Sequence, residues 1–323
     1  MNRHTTPVFR TLTVASAVTV FILMGVGGLV RVTGSGLGCP DWPLCYGQVL
    51  PPWALQTAWI EFSHRVVAGI AGLLILATSI VVWRNYRQHR ALFVPSIVIV
   101  VMLVFQVPLG GVIVFTELEP LTVAIHLGKA LIIFALAILI AVRAYRMAPD
   151  AADPVYVSTG YRTLLWGLLV GLYALLITGA LVVGTQSSYA CPDWPLCNGS
   201  LIPAADVNYR VLIQFGHRAT VGVVSLLIVA AAVATLRRTN NAPGAKLWAV
   251  AMLVLLAGQI AVGAIQVLLV LPPFWRAMHL TMGSAVWGAA VVLTASSLAY
   301  RLPEALATRQ QQPAATMGMA SGK

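Results

Sequence analysis

Charged residues are scarce in this chain. Of its 323 residues, 9% are charged and 59% are apolar, whereas a soluble domain carries about 25% charged and about 45–50% apolar residues. The scarcity of charge excludes an ordinary soluble domain, and the apolar majority excludes a disordered chain. Because a membrane span needs about 20 apolar residues, the chain is long enough for eight spans.

A cleavage site for a signal peptide is also lacking. The first apolar segment has no small-residue cleavage motif and continues into Gly27, Gly28 and Arg31, so we expect a membrane span there. The apolar runs predict an all-α membrane protein with eight transmembrane helices. Their predicted bounds are 10–31, 58–83, 92–115, 122–146, 162–184, 209–236, 247–271 and 276–301.

No basic folded module is present, which excludes nucleic acid as a partner although the net charge is +11. Most of the 20 Lys and Arg residues fall in the termini and in every second loop, which is the positive-inside pattern. This pattern predicts a multi-pass protein of the cell membrane with both termini in the cytoplasm. The six cations left for the outer side are Arg31, Arg65, Lys129, Arg210, Arg218 and Arg276.

The chain contains an internal repeat. CPDWPLC occurs at 39–45 and at 191–197, EFSHR at 61–65 is matched by QFGHR at 214–218, and AIHLGKA at 124–130 is matched by AMHLTMG at 277–283. Each copy has four spans, and an even number of spans gives both copies the same orientation, so we predict two parallel-repeat four-helix bundles. The expected parts are a first bundle at 1–146, a cytoplasmic linker at 147–161, a second bundle at 162–301 and a disordered cytoplasmic tail at 302–323.

Four histidines occupy matching places in this repeat, each in the first two turns of an even-numbered helix just inside the outer face. They are His64, His126, His217 and His279. Ionisable residues inside a span are costly and usually functional. Two helices of one bundle that offer imidazoles at equal depth suit a heme with its iron between them. Zinc fits less well because a catalytic zinc site has three protein ligands, and copper does not explain the large apolar bundle. We therefore predict two heme sites toward the outer face.

Other charged residues near these histidines distinguish the two halves. Arg65 and Arg218 directly follow a histidine in each half and are expected beside heme propionates. Glu61 aligns with Gln214, so only the first half has a carboxylate for moving protons or stabilising a cationic intermediate; pairing with Arg65 is the alternative. Lys129 occurs only in the first half and is expected to pair with a substrate propionate or with Glu61, or to extend to the surface.

The four cysteines lie in the two large outer loops, where disulfides are permitted. Four cysteines allow three pairings. Pairing of Cys39 with Cys45 and of Cys191 with Cys197 closes a seven-residue turn in each loop, and the C-x5-C spacing is not the usual zinc pattern. We favour structural disulfides, with a redox-active thiol pair as the alternative.

Each of these cysteine turns also contains an aspartate and a tryptophan. Asp41 and Asp193 are expected to cap the backbone of the turns. Trp42 and Trp194 are expected at the membrane interface as aromatic anchors, and the alternative is a roof over each heme.

Taken together, these motifs resemble the heme A synthase family. GGLVRVTGSGLGCPDWP at 27–43, EFSHR at 61–65, the matching histidines and the double repeat carry the resemblance over about residues 10–301. The cysteine pairs match the bacterial form that has them. The resemblance implies an oxidoreductase acting on a CH3 group. In that family, the C8 methyl group of heme O becomes the formyl group of heme A by successive hydroxylations, for terminal oxidase cofactor biosynthesis.

The resemblance also implies an arrangement of hemes. A resident heme b would be held in the second half by His217, His279 and Arg218. The substrate heme O would lie in the first half at His64, His126, Arg65 and Lys129, with Glu61 as catalytic residue. Heme O synthase, membrane lipid and a second copy of the chain are partners that this interpretation allows.

Two other functions compete with this one. A di-heme b electron-transfer protein, such as a quinol-linked cytochrome b, explains four histidines but leaves the difference between Glu61 and Gln214 without a reason. A heme or thiol-redox transporter is expected to have broken helices near the midplane, whereas the polar residues here cluster at the outer face.

Overall fold

Eight long helices form the computed structural model, which describes residues 4–148, 157–204, 207–238, 241–242 and 244–298. The helices are α1 (Pro7–Val32), α2 (Gln56–Asn85), α3 (Arg90–Phe115), α4 (Pro120–Arg146), α5 (Thr159–Gly184), α6 (Tyr209–Arg237), α7 (Ala245–Leu268) and α8 (Pro273–Leu298). Each is long and apolar enough to cross a membrane. The predicted all-α class and the eight spans are therefore confirmed.

The helix ends follow local chemistry. Thr6 caps α1 by accepting a hydrogen bond from the N–H of Phe9, and Pro7 fills the first turn, where no N–H is needed. Glu119 caps α4 in the same way, again with a proline directly after it. The predicted tail at 302–323, and most of the predicted linker at 147–161, lie outside the described residues.

The helix contacts fall into two closed groups. In the first half, α1 packs on α2, α2 on α3, α3 on α4, and α4 back on α1; α5 to α8 close in the same order. Between the groups, α1 packs on α8, and α4 packs on both α5 and α8. This pattern supports the two-bundle arrangement, which as a repeat stays a prediction.

The seam between the two groups is tight where α1 crosses α8. A Cβ placed at Gly28 would lie 3.4 Å from Cβ of Leu280, and one placed at Gly25 would lie 3.4 Å from Oγ1 of Thr281. The two helices run antiparallel, since rising numbers on α8 meet falling numbers on α1. Small residues allow such close backbone approach in membranes. The register sets which residues of the two halves meet at the outer ends.

Candidate heme-binding sites

Each of the four predicted ligand histidines packs against a glycine of a neighbouring helix. A Cβ placed at Gly27 of α1 would lie 3.1 Å from Cε1 of His64, and one at Gly179 of α5 would lie 3.2 Å from Cε1 of His217. Any side chain at these two positions would push the imidazole away. The glycines are 152 residues apart, so they are equivalent positions of the repeat.

The other two histidines have the same kind of neighbour. A Cβ at Gly110 of α3 would lie 3.7 Å from Cε1 of His126, and one at Gly263 of α7 would lie 3.1 Å from Cε1 of His279. Gly110 and Gly263 are 153 residues apart, so they are also equivalent positions of the repeat, and the sequence alone assigned them no role. The sequence offered one signal for such a role, a glycine at the same depth as a histidine on the adjacent helix.

The imidazoles come together in two pairs, one in each half. His126 lies within electrostatic range of His64, and His217 within range of His279. The structure therefore brings together within each half the residues that the sequence singled out. Neutral imidazoles offered in pairs are the ligand set of a bis-histidine heme.

The ring nitrogens also fit a bound group. The Nδ1 atoms of His64, His126 and His279 are buried and have no hydrogen-bond partner among the described residues, whereas Nδ1 of His217 lies 3.0 Å from Oγ1 of Thr178. Leaving a buried polar atom unpartnered costs about 1–3 kcal/mol. A group that engages these rings would offset that cost, so the sites fit heme.

Glu61 and Gln214 occupy equivalent buried positions, each 7% exposed. The Glu61 carboxylate accepts a hydrogen bond from Nε of Arg65 at 3.3 Å, so the pairing considered as an alternative is present. Oε1 of Gln214 is buried without a hydrogen-bond partner among the described residues. The two halves thus share a plan at this position and differ in one ionisable group.

Arg65 also fastens the first outer loop to α2. Its guanidinium donates to the carbonyl oxygens of Leu44 at 2.8 Å, Asp41 at 3.1 Å and Cys39 at 3.4 Å. One side chain therefore connects the cysteine turn to Glu61. These bonds take up much of its donor capacity, and its expected contact with a propionate stays a prediction.

Arg218 does the same for the second outer loop. It donates to the carbonyl oxygen of Cys191 at 3.0 Å and to that of Leu196. The sequence placed this arginine beside a heme but did not reveal its attachment to the loop. A hydrogen bond to a carbonyl oxygen carries no side-chain signature, so only the folded chain shows it.

The cysteines are joined within each loop. Cys39 bonds to Cys45 and Cys191 to Cys197, the pairing that we favoured. Each turn is followed by an isolated antiparallel β-bridge, which pairs Cys45 with Gln48 in the first loop and Cys197 with Ser200 in the second. A redox role of these cysteines stays a prediction.

The two aspartates cap the cysteine turns as expected. The Asp41 carboxylate accepts from the N–H of Tyr46 at 2.6 Å and of Gly47 at 2.7 Å. Asp193 accepts from the N–H groups of Asn198 and Gly199 at 2.7 and 2.6 Å. The N–H of Gly47 lowers the pKa of Asp41, because it stabilises the ionised carboxylate.

The two loop tryptophans take different positions. Trp42 lies against α3: a Cβ placed at Gly111 would be 2.9 Å from Cδ2 of its indole. Gly111 directly follows Gly110, so Trp42 lies near the first site. The repeat has Ala264 in place of Gly111, and Trp194 is 42% exposed. Of the two loop indoles, that of Trp42 packs on α3, and that of Trp194 is exposed.

Lys129 lies on α4, three residues inward of His126. Its Nζ is 5.6 Å from the ring centroid of Phe105, a distance at which a cation is attracted to an aromatic face. Of the partners proposed from sequence, Glu61 pairs with Arg65 and not with Lys129 among the described residues. Binding of Lys129 to a propionate stays a prediction.

The fold and the two imidazole pairs together define a class, a helical membrane protein with two sites suited to heme. A family model described as "Cytochrome oxidase assembly protein" (COX15-CtaA) matches residues 10–291, and the chain belongs to this family. It is 34% identical over 303 residues to a heme A synthase of Geobacillus kaustophilus (strain HTA426), covering 92% of each chain.

Further relatives share this description. A heme A synthase of Geobacillus thermodenitrificans is 34% identical over 317 residues, or 94% of each chain. One of Symbiobacterium thermophilum is 34% identical over 289 residues, or 86% of this chain and 92% of the relative. The resemblance drawn from the motifs is confirmed.

Proposed function

We propose that the protein is a heme A synthase, which oxidises the C8 methyl group of heme O to a formyl group by two successive hydroxylations and loss of water. The relatives described by that name support this activity. The observation that carries it is the asymmetry of the two sites: two equivalent imidazole pairs, of which only the first has the buried carboxylate of Glu61. A protein that only transfers electrons needs no such difference.

The second half holds the resident cofactor in this proposal. His217 and His279 would hold heme b, which supplies one-electron redox chemistry when bound. The position equivalent to Glu61 is the amide of Gln214, which does not ionise near neutral pH. This half is therefore suited to binding and redox chemistry and not to proton transfer.

The first half receives heme O as substrate between His64 and His126. Glu61 would hold or move a proton on its carboxylate close to the substrate, and Arg65 orients that carboxylate through its Nε–H. Lys129 would contact a propionate of the substrate. Trp42, packed on α3, would help to exclude water from this half.

The orientation in the membrane is also part of the proposal. The cysteine loops and both sites face outward, and both termini lie in the cytoplasm, because the Lys- and Arg-rich segments lie at the opposite ends of the helices. Heme O synthase is a partner of stated chemistry, since it supplies the substrate. Contacts with lipid and with a second copy of the chain are further expectations.

The activity is tested by producing the protein in a bacterial membrane together with a source of heme O, and by separating extracted hemes by chromatography. We expect heme A beside heme b. The matched control is His64→Ala, which should keep heme b in the second half and make no heme A. Wild-type protein that contains heme b only, with heme O present, would contradict the proposal and favour the di-heme electron carrier.

A further inference from the structure

The six outer cations differ in what they contact. Four contact groups of their own half of the chain: Arg65 and Arg218 donate to loop carbonyls, Lys129 lies over Phe105, and Arg210 lies over the ring of Tyr209 at 5.9 Å. Arg31 and Arg276 remain. The two come from opposite halves of the chain, and no role assigned so far uses them.

Arg31 and Arg276 lie beside each other at the outer end of the seam. The antiparallel register that pairs Gly28 with Leu280 and Gly25 with Thr281 continues outward to bring Arg31 next to Arg276. Their charges are close enough to repel. Neither guanidinium has a carboxylate partner in the part of the chain that the structure describes.

The pair lies above the second site. Nη2 of Arg31 donates to the carbonyl oxygen of Val183 on α5 at 3.3 Å, so Arg31 crosses from the first half to the second. Val183 is one helical turn, about 6 Å, outward of Gly179, which contacts His217. Arg276 is likewise about one turn outward of His279 on the same face of α8.

The local field at this point favours an anion. Arg276 lies in the first turn of α8, where the helix dipole is positive as well. Two half-buried guanidinium groups without a carboxylate are costly to keep together. A carboxylate placed between them would form charge-assisted hydrogen bonds with both.

The first site has no such pair. The repeat places Val183 at the position of Arg31 and Val123 at the position of Arg276. Two valines cannot bind an anion, so the asymmetry between the sites extends beyond Glu61. It gives the second site a pair of guanidinium groups that the first site lacks.

We propose that Arg31 and Arg276 form a carboxylate clamp that binds the propionates of the heme held by His217 and His279. This rests on the proposed resident heme b. Because Arg31 belongs to the first half, the second site is complete only when the two halves are packed together. The clamp gives a reason why one heme stays bound while the other, at a site without it, can leave as product.

The test uses the full-length protein purified with its heme. The variants are Arg31→Gln, Arg276→Gln and the double variant, and the matched control is Arg210→Gln, which removes an outer arginine away from the seam. Heme retention is measured as the rate of transfer to a heme-scavenging protein, and the reduction potential of heme b is measured by titration. The variant Arg276→Lys keeps the positive charge, so it tests whether charge alone preserves heme retention and the reduction potential.

We expect the double variant to lose heme at least 10-fold faster and to have a lower reduction potential, because loss of positive charge near the heme favours the oxidised state. Arg210→Gln should match wild type. Unchanged retention and potential in the double variant would overturn the clamp. Heme A formation is scored separately, so a wild-type protein that keeps heme b through the clamp and makes no heme A contradicts the proposed function alone.

A phospholipid phosphate is an anion that the two arginines could bind in the same way as a propionate. A separate experiment must therefore distinguish these two sources of the anion. The measurements are repeated in vesicles of zwitterionic lipid, with and without anionic lipid. If the clamp binds propionates, the variants should change heme retention and reduction potential equally with and without anionic lipid. Effects that occur only with anionic lipid would assign the pair to a lipid headgroup and overturn the heme assignment.

Discussion

Replacement of Glu61 by Gln is the sharpest test of the first site, because the repeat already contains that change. Gln214 occupies the equivalent position at the same 7% exposure, so the fold accepts an amide there. The substitution keeps the size of the side chain and an acceptor for Arg65. It removes only the ability to ionise.

The cost in stability should be small. The Arg65 cation can still donate to the amide oxygen, so the variant loses the charge–charge attraction and keeps a hydrogen bond to a charged group; the free energy of unfolding should fall by about 1 kcal/mol. Arg65 keeps its bonds to the carbonyl oxygens of Cys39, Asp41 and Leu44. The loop and the heme b of the second half should therefore be retained.

The cost in activity should be much larger. Loss of a general acid or base lowers a rate by about 10²–10⁴-fold, which is about 2.7–5.5 kcal/mol in activation free energy. The assay is the amount of heme A formed per heme b in membranes that also contain heme O. Glu119→Gln is the control, since it replaces the exposed capping carboxylate of α4 by an amide without touching the site.

Near-native heme A formation by the Glu61→Gln protein would refute the catalytic role. Glu61 would then be a structural partner of Arg65 only. A loss of heme b in parallel with heme A would also count against the reasoning, because it would mean that the change disturbs the whole bundle.

Three further predictions concern other parts of the molecule. His279→Ala should remove the low-spin spectrum of heme b or the heme itself, and a full bis-histidine spectrum would refute the ligand assignment. Replacement of Cys191 and Cys197 by Ser should lower the free energy of unfolding by less than the ~3 kcal/mol of a 15-residue loop, measured by thermal unfolding, while mass mapping of wild type should find intraloop bonds only. Gly111→Ala should displace Trp42 and increase protease cleavage of the first loop, and an unchanged cleavage rate would show that the indole adjusts in place.

The sequence was sufficient for the properties that depend on neighbours along the chain. Helix spans follow from the length of each apolar run, and the depth of each histidine follows from the rise of 1.5 Å per residue. The caps at Asp41 and Asp193 follow from short-range turn chemistry. These features need no knowledge of how the helices pack.

The same approach left alternatives open where several partners were within reach. The position of Arg65 predicted a propionate or Glu61, and the structure shows Glu61 together with three loop carbonyls. Trp42 and Trp194 were treated alike, although one packs on α3 and the other is exposed. A single methyl group, present in Ala264 and absent in Gly111, accompanies that difference.

The sequence by itself determined the eight spans, the repeat, and the residue types at each site, because hydropathy and spacing act through the local chain. Only the tertiary structure decided which helices meet and at what register. Arg31 is an ordinary outer arginine in the sequence, and its contact with Val183, 152 residues away, depends on the seam between the two halves. The distance between two helices depends on how the side chains of both helices pack, so it cannot be predicted from either segment alone.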